Sequence, residues 1–221
     1  NVANPNPGWY QGDLHVHGES EPGNAPMNQS LNLGFKPLDQ GGSGLDFISL
    51  VEHNNDNSRL VLGSYQAARP DKLIIPGVEV TTYNGHTNAH GSNNFADFRM
   101  SEVYRWDDNG DDVQTGDELS LVRGPIDPSG EFQKLLDGGG FTQVNHPETL
   151  KAAPAACRGC AWTYSDERTG WNNVSAIEVA NGSGGVSAAN PVGMNPFTLN
   201  SIETFERLLA DRASRSASFS C

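Results

Sequence analysis

Leu45-Asp46-Phe47-Ile48-Ser49-Leu50-Val51-Glu52-His53-Asn54-Asn55 is a short apolar run that stops at a carboxylate, an imidazole and two amides. Runs of this length bounded by polar residues fit a strand, and here the polar groups collect at its carboxyl end. The arrangement recurs along the chain. Leu73-Ile74-Ile75-Pro76-Gly77-Val78 runs into Glu79, and Phe141-Thr142-Gln143-Val144-Asn145 runs into His146-Pro147. Gly12-Asp13-Leu14-His15-Val16-His17-Gly18 closes another expected strand. The pattern predicts strands near Trp9–Val16, Asp46–Val51, Leu73–Val80, Phe141–Asn145 and Ala176–Val179, and helices over Ser58–Ala68, Ser129–Leu136 and Ser201–Arg212. Asp127 or Ser129 can cap the middle helix, and Gly138-Gly139-Gly140 ends it. Strands alternating with helices predict an α/β fold with a largely parallel sheet or barrel. Such folds carry their chemistry at the carboxyl ends of the strands, where these polar residues fall.

The remaining composition narrows the class. The chain has 221 residues, which predicts one domain over 1–221. Its 27 acidic against 14 basic residues give a net charge of −13, and no basic stripe is present. Non-specific nucleic-acid binding depends on Lys and Arg at phosphates, so it is not expected. No apolar run approaches the ~18–20 residues of a membrane span. The Asn1 start and the wealth of Asn, Gly and Ser predict a processed, secreted or periplasmic protein. The segment around 95–128 is polar and acidic and reads as an insertion loop. Within it Asp107, Asn109, Asp111 and Glu118 match positions of a calcium loop, but Asp112 stands where glycine belongs. A solvated acidic loop is therefore preferred to calcium at 107–118. Cys157 and Cys160 form a single C-x-x-C with loop-like flanks, and Cys221 is the last residue. A disulfide-closed loop in an exported protein and two plain thiols otherwise are both open, ahead of zinc or redox work.

The six histidines carry the chemical signal. His15 and His17 sit at i and i+2 of a strand, so both face one side and can reach one ion. His53 and His146 each follow a strand, and Glu79 ends another. His86 and His90 follow Glu79 in Tyr83-Asn84-Gly85-His86-Thr87-Asn88-Ala89-His90. A carboxylate can bridge two ions, and imidazole completes the coordination of Zn, Mn or Fe. Histidine and carboxylate without thiolate suit a catalytic more than a closed structural site.

The order H-x-H, then strand plus Glu52-His53-Asn54, then Gly77-Val78-Glu79-Val80-Thr81-Thr82 with Gly85-His86, then Asn145-His146-Pro147, resembles the polymerase-and-histidinol-phosphatase (PHP) metal-dependent phosphoesterases. The middle motif is similar to the branch that includes carbaryl-type ester and carbamate hydrolases. The resemblance spans roughly Trp9 to Gly182 and implies a distorted (β/α)7-type barrel with up to three divalent ions. It implies that His15, His17 and Glu79 hold a first ion, that Glu79 bridges to a second on His86 and His146, and that His53 serves a third with Glu21 or Glu19. His90 has no counterpart, and either substitutes for His86 or lines the pocket. Asp13 and Glu52 are expected to orient ligand imidazoles from behind. Arg158 and Arg168 lie in loops after His146, although sequence does not choose a phosphate clamp among the arginines.

The chain departs from the pattern in two places. Glu52 stands where the family has Asp, and the closing Asp-x-His strand is missing after Ile177-Glu178-Val179. Two ions, with the third weak or absent, are therefore expected. The implied activity is a hydrolase using a metal-bridging hydroxide on a small-molecule phosphate ester. Hydrolysis of an aryl ester or carbamate at the same site is the alternative, and a degenerate metal-binding domain without turnover is another.

Overall fold

The structure is a computed structural model that describes residues 8–18, 25–100, 103–105, 120–122, 126–153, 157–181 and 195–218. Glu19, Glu21, the 107–118 loop and Cys221 lie outside them. The chain is mixed α/β. It divides into two compact units: Asn1–Val80, Asn88–Ala96 and Leu135–Phe141 form the first, and Thr81–Thr87, Asp97–Lys134 and Thr142–Cys221 the second.

In the first unit β1 (Gly12–Val16), β2 (Phe47–His53) and β3 (Leu73–Thr82) lie side by side and parallel. The five central residues of β2 are buried, as expected for a parallel strand covered on both faces. Its register places Phe47 against Leu73 and His53 against Glu79, so the two polar ends line up without offset. Between β1 and β2 runs α1 (Met27–Phe35), a helix that the sequence pattern did not announce. Met27, Leu31 and Phe35 recur every four residues on one face and pack with Leu45, Ile48, Leu50 and Ile74. Helix α2 (Asn57–Ala67) falls where it was expected and adds Leu62 and Tyr65 to this core.

Close packing explains two glycines. A Cβ at Gly34 of α1 would lie 2.5 Å from Ile48 Cδ1, so the glycine lets the helix press onto β2. A Cβ at Gly77 of β3 would lie 2.7 Å from both the Ala89 carbonyl oxygen and Val51 Cγ1. Strand β4 (Gly85–His90) neighbours β3, and Gly91 N–H donates to the Pro76 carbonyl.

Strand β7 (Phe141–Val144) neighbours β4 and, within the second unit, pairs in parallel with β8 (Ala176–Ile177). Helix α3 (Pro128–Asp137) starts with Asp127 at its cap position and ends at Gly139, whose φ is +80°. Helix α4 (Asp166–Thr169) is a single turn capped by the Ser165 hydroxyl. Helix α5 (Thr198–Ser218) extends beyond the predicted 201–212 at both ends. The backbone of the acidic segment contains an antiparallel pair, β5 (Val103–Arg105) with β6 (Ser120–Val122). Among the described residues, no helix is long and apolar enough to cross a membrane.

Burial sets the expected sensitivities. Leu31→Ala should cost ~2–5 kcal/mol of stability in urea unfolding. Gly77→Ala should destabilise too, because the obstacle includes backbone. Gly63 of α2 has no atom within 4 Å of a built Cβ, so Gly63→Ala should stabilise by ~0.5–1 kcal/mol. An equal response at the two glycines contradicts this packing argument.

Candidate metal centre

Glu79 lies within the buried run 77–80 of β3, and its side chain is 1% exposed. Three imidazoles close on its carboxylate. His15 Nε2 is 3.4 Å from Oε1, His17 Nε2 is 3.3 Å from Oε2, and His53 Nδ1 is 2.8 Å from Oε2. The parallel register explains His53, which stands opposite Glu79 across the β2–β3 ladder. His15 and His17 come from the end of β1, their ring centroids 5.0 Å apart, and His17 stacks on His53 at 4.5 Å. His15, His17 and Glu79 each offer a ligand atom within 4.8 Å of the others.

The donor set of imidazole nitrogen and carboxylate oxygen fits a divalent transition ion. His17 Nδ1 is buried and, among the described residues, has no hydrogen-bond partner; a buried nitrogen left in that state is costly in a metal-free protein. Burial holds the His17 imidazole below the ordinary histidine value; Glu79 opposes this, and His15 and His53 add to it. A neutral imidazole is the form that binds metal.

Glu52 is fully buried, and its Oε1 accepts the Gly18 N–H at 2.6 Å. It thereby fixes the backbone directly after His17. Asp13 is exposed and accepts the His15 backbone N–H at 2.9 Å. Both carboxylates thus accept a backbone N–H at the H-x-H segment, where they were expected to act.

The second unit carries another cluster. The Asn145 N–H donates to the His86 carbonyl, and Thr87 Oγ1 donates to the Gln143 carbonyl at 2.6 Å, so β4 and the segment through β7 hold His86 and His146 in register. Their rings meet edge to face with centroids 5.2 Å apart. His86 Nε2 lies 3.2 Å from the Arg158 carbonyl, and His146 Nδ1 lies 3.3 Å from the Cys160 carbonyl. A carbonyl only accepts, so the ring nitrogens facing it carry the protons. The lone pairs then sit on Nδ1 of His86 and Nε2 of His146, which is how outer hydrogen bonds set the tautomer of a metal-binding histidine. His146 has φ +27° immediately before Pro147. The surroundings must hold this strained backbone in place, and Glu178 Oε2 does so by accepting the His146 N–H at 3.2 Å.

Glu178 directly follows β8, and no sequence signal places it in the site. Cys160 was also missed: His86, His146 and Cys160 offer ligand atoms within 4.8 Å of one another, all three buried. His90 belongs to the first unit. It is fully buried, its Nδ1 is 2.7 Å from Ser49 Oγ, and its ring stacks on Phe141 at 4.3 Å. Arg168 ion-pairs with Asp127 and lies over the Tyr164 ring.

No protein-family model matches the sequence, and no curated protein sequence is similar to it. A solved structure from Bifidobacterium adolescentis ATCC 15703, provisionally named a metal-dependent phosphoesterase, is similar at 10% identity and a TM-score of 0.48. The likeness covers 86% of this chain and 84% of that one.

The lowered His17 value has a measurable sign. The unfolded chain takes up a proton as pH falls through about 6.5, the ordinary histidine value, whereas folded His17 stays neutral further down. The metal-free protein should therefore lose stability as pH drops from that value toward the lowered one. The urea midpoint should fall across this window, and less steeply in His17→Asn. A midpoint that rises instead contradicts the burial argument.

Proposed function

We propose that this protein is a metal-dependent hydrolase of phosphate esters. The observation that carries the reading is the buried Glu79 carboxylate with His15, His17 and His53 gathered on it from neighbouring strand ends. His15, His17 and Glu79 would hold one ion, and His86 and His146 would supply ligands for a second. When bound, such ions make a hydroxide available from water near neutral pH and neutralise charge on phosphoryl oxygens. The protein's own groups orient this chemistry. Glu52 fixes the turn after His17, the Arg158 and Cys160 carbonyls set the His86 and His146 tautomers, and Glu178 holds the His146 backbone.

The motif order supports a PHP-type (β/α)7 barrel as the parent architecture, and the ion would be zinc, manganese or iron. The phosphoesterase reading rests on that order. The net charge of −13 favours a second reading, an uncharged aryl ester or carbamate as substrate, because an anionic ester must approach against that charge. Small molecules fit either reading.

Metal analysis of the purified protein, followed by assay on mono-aryl and bis-aryl phosphates and an aryl ester with Mn²⁺ or Zn²⁺, tests the proposal. The expected result is bound metal and aryl-phosphate turnover that a chelator abolishes. Preference for the aryl ester selects the second reading, and metal without turnover on any substrate refutes hydrolysis. Glu79→Gln should lose metal and activity together. The double duty that the motif order implies for Glu79 is read from the same titration: loss of a second equivalent supports it, and loss of one refutes it.

A further inference from the structure

The loop that closes over His86 and His146 is the Cys157–Cys160 loop, and its two cysteines form a disulfide. Three observations tie its redox state to the histidines. First, the Cys160 sulfur lies in one buried group with the imidazole nitrogens, within 4.8 Å. Second, the loop's own carbonyls, those of Arg158 and Cys160, accept from His86 Nε2 and His146 Nδ1. The loop therefore already sets which nitrogens carry lone pairs. Third, the loop is anchored independently of the disulfide. The Trp162 N–H donates to the Pro147 carbonyl at 2.9 Å, and the Thr163 N–H donates to the Asn84 carbonyl at 2.7 Å. Gly159, with φ +81°, packs so tightly on the Tyr83 backbone that no Cβ would fit. Opening the S–S bond leaves these anchors intact, so Cys160 stays beside the histidines.

We propose that the disulfide is a redox control on this metal position, and that reduction converts Cys160 into a third ligand beside His86 and His146. The proposal rests on the reading of those two histidines as metal ligands. The two sulfurs differ in access, since Cys157 is partly exposed and Cys160 is 4% exposed. A dithiol reductant attacks Cys157 Sγ as a thiolate. The S–S bond breaks, a mixed disulfide forms on Cys157, and Cys160 leaves as a thiolate. The reductant's second thiol then displaces Cys157, so that two electrons and two protons pass to the protein and the reductant becomes a disulfide. A leaving thiolate stabilised by nearby positive charge departs faster, and a divalent ion held by His86 and His146 would supply that charge. Oxidised, the loop offers only neutral disulfide sulfur, so the ion has two imidazoles and whatever oxygen ligands it finds. Reduced, it has a His₂Cys set, and thiolate selects zinc over manganese or magnesium.

Cobalt(II), which reports thiolate ligation by a charge-transfer band in the near ultraviolet, tests this on the full chain. The protein is reduced with a phosphine, freed of it under inert gas and titrated with Co²⁺. The band is expected in the reduced protein and in Cys157→Ser without any reductant. It should be absent from the oxidised protein and from reduced Cys160→Ser. Zinc should compete for this position more strongly after reduction, while manganese should not. If cobalt binds, and His86→Ala removes one equivalent, yet neither the reduced protein nor Cys157→Ser shows the band, the redox control is refuted and the metal reading stands. If His86→Ala and His146→Ala leave cobalt stoichiometry unchanged, the metal reading fails and the proposal fails with it. A band that survives Cys160→Ser assigns the thiolate elsewhere and also overturns the proposal.

Discussion

A carboxylate removed from water must be given compensating charge or hydrogen bonds, because even after relaxation the desolvation penalty is several kcal/mol per ion. Glu79 is removed from water almost completely, and much of the first unit is arranged around that fact. Strand β3 carries it inward on a run of apolar residues. The β2 ladder sets His53 directly opposite, and the H-x-H segment of β1 brings two more imidazoles to the same oxygens. The supports lie one layer further out. Glu52, itself buried, is satisfied in part by the Gly18 N–H, so one buried carboxylate holds the loop that serves the other. Gly77, two residues before Glu79, admits the close approach of the Ala89 carbonyl and the Val51 side chain that this part of the sheet requires.

The histidines of the second unit are organised on a different principle. There the orienting groups are main-chain carbonyls, from Arg158 and Cys160, and the imidazoles are placed by a ladder between buried strands. Carbonyls fix a tautomer without adding a charge. The cluster therefore depends on backbone placement, and the positive φ angles of His146 and Arg158 are where that placement is strained. Aromatic packing on the outer side supports it: Trp162 lies near Phe132, Tyr164 and Trp171, and its indole N–H donates to Thr169 Oγ1 at 2.9 Å. A Cβ at Gly85, one residue before His86, would collide with the Trp162 ring, so the aromatic cluster reaches the strand that carries the histidine.

These physical differences decide what could be read from the sequence. Strands β2 and β3 were legible because strands buried on both faces must be apolar, and their polar ends stand out against that background. Strand β4 is buried over its whole length, yet Gly85-His86-Thr87-Asn88-Ala89-His90 contains almost no apolar side chain. Its polar groups are satisfied by partners distant in sequence: Thr87 by the Gln143 carbonyl, Asn88 by the Leu14 carbonyl, His90 by Ser49. Hydrophobic periodicity cannot detect a strand of that kind. Helix α1 was missed because Asn28, Gln29, Ser30 and Asn32 fill its other faces and Leu33 is exposed among them, so the buried stripe of Met27, Leu31 and Phe35 does not stand out over only nine residues. His90, read from the sequence as a stand-in for His86 or a lining of the pocket, meets Ser49 at Nδ1 and stacks on Phe141, contacts that residue type does not announce. Glu178 lacked a neighbouring histidine to mark it, and its hydrogen bond from the His146 N–H is not announced by residue type alone.

The cluster on Glu79 faces a choice between two kinds of positive charge. Protons on the imidazoles would pair with the carboxylate, but rings 4.5 and 5.0 Å apart repel once charged, and burial already holds His17 toward its neutral form. Neutral imidazoles remove the repulsion and leave the carboxylate with weaker compensation. A divalent cation resolves the conflict, because neutral nitrogens and a carboxylate oxygen all become favourable partners of one charge. Binding free energy obtained in this way is also folding free energy, since the unfolded chain has no such site. An arrangement that is awkward for a protonated or a neutral cluster is therefore well matched to a metallated one, and this, more than the number of histidines, is the physical case for a metal at Glu79.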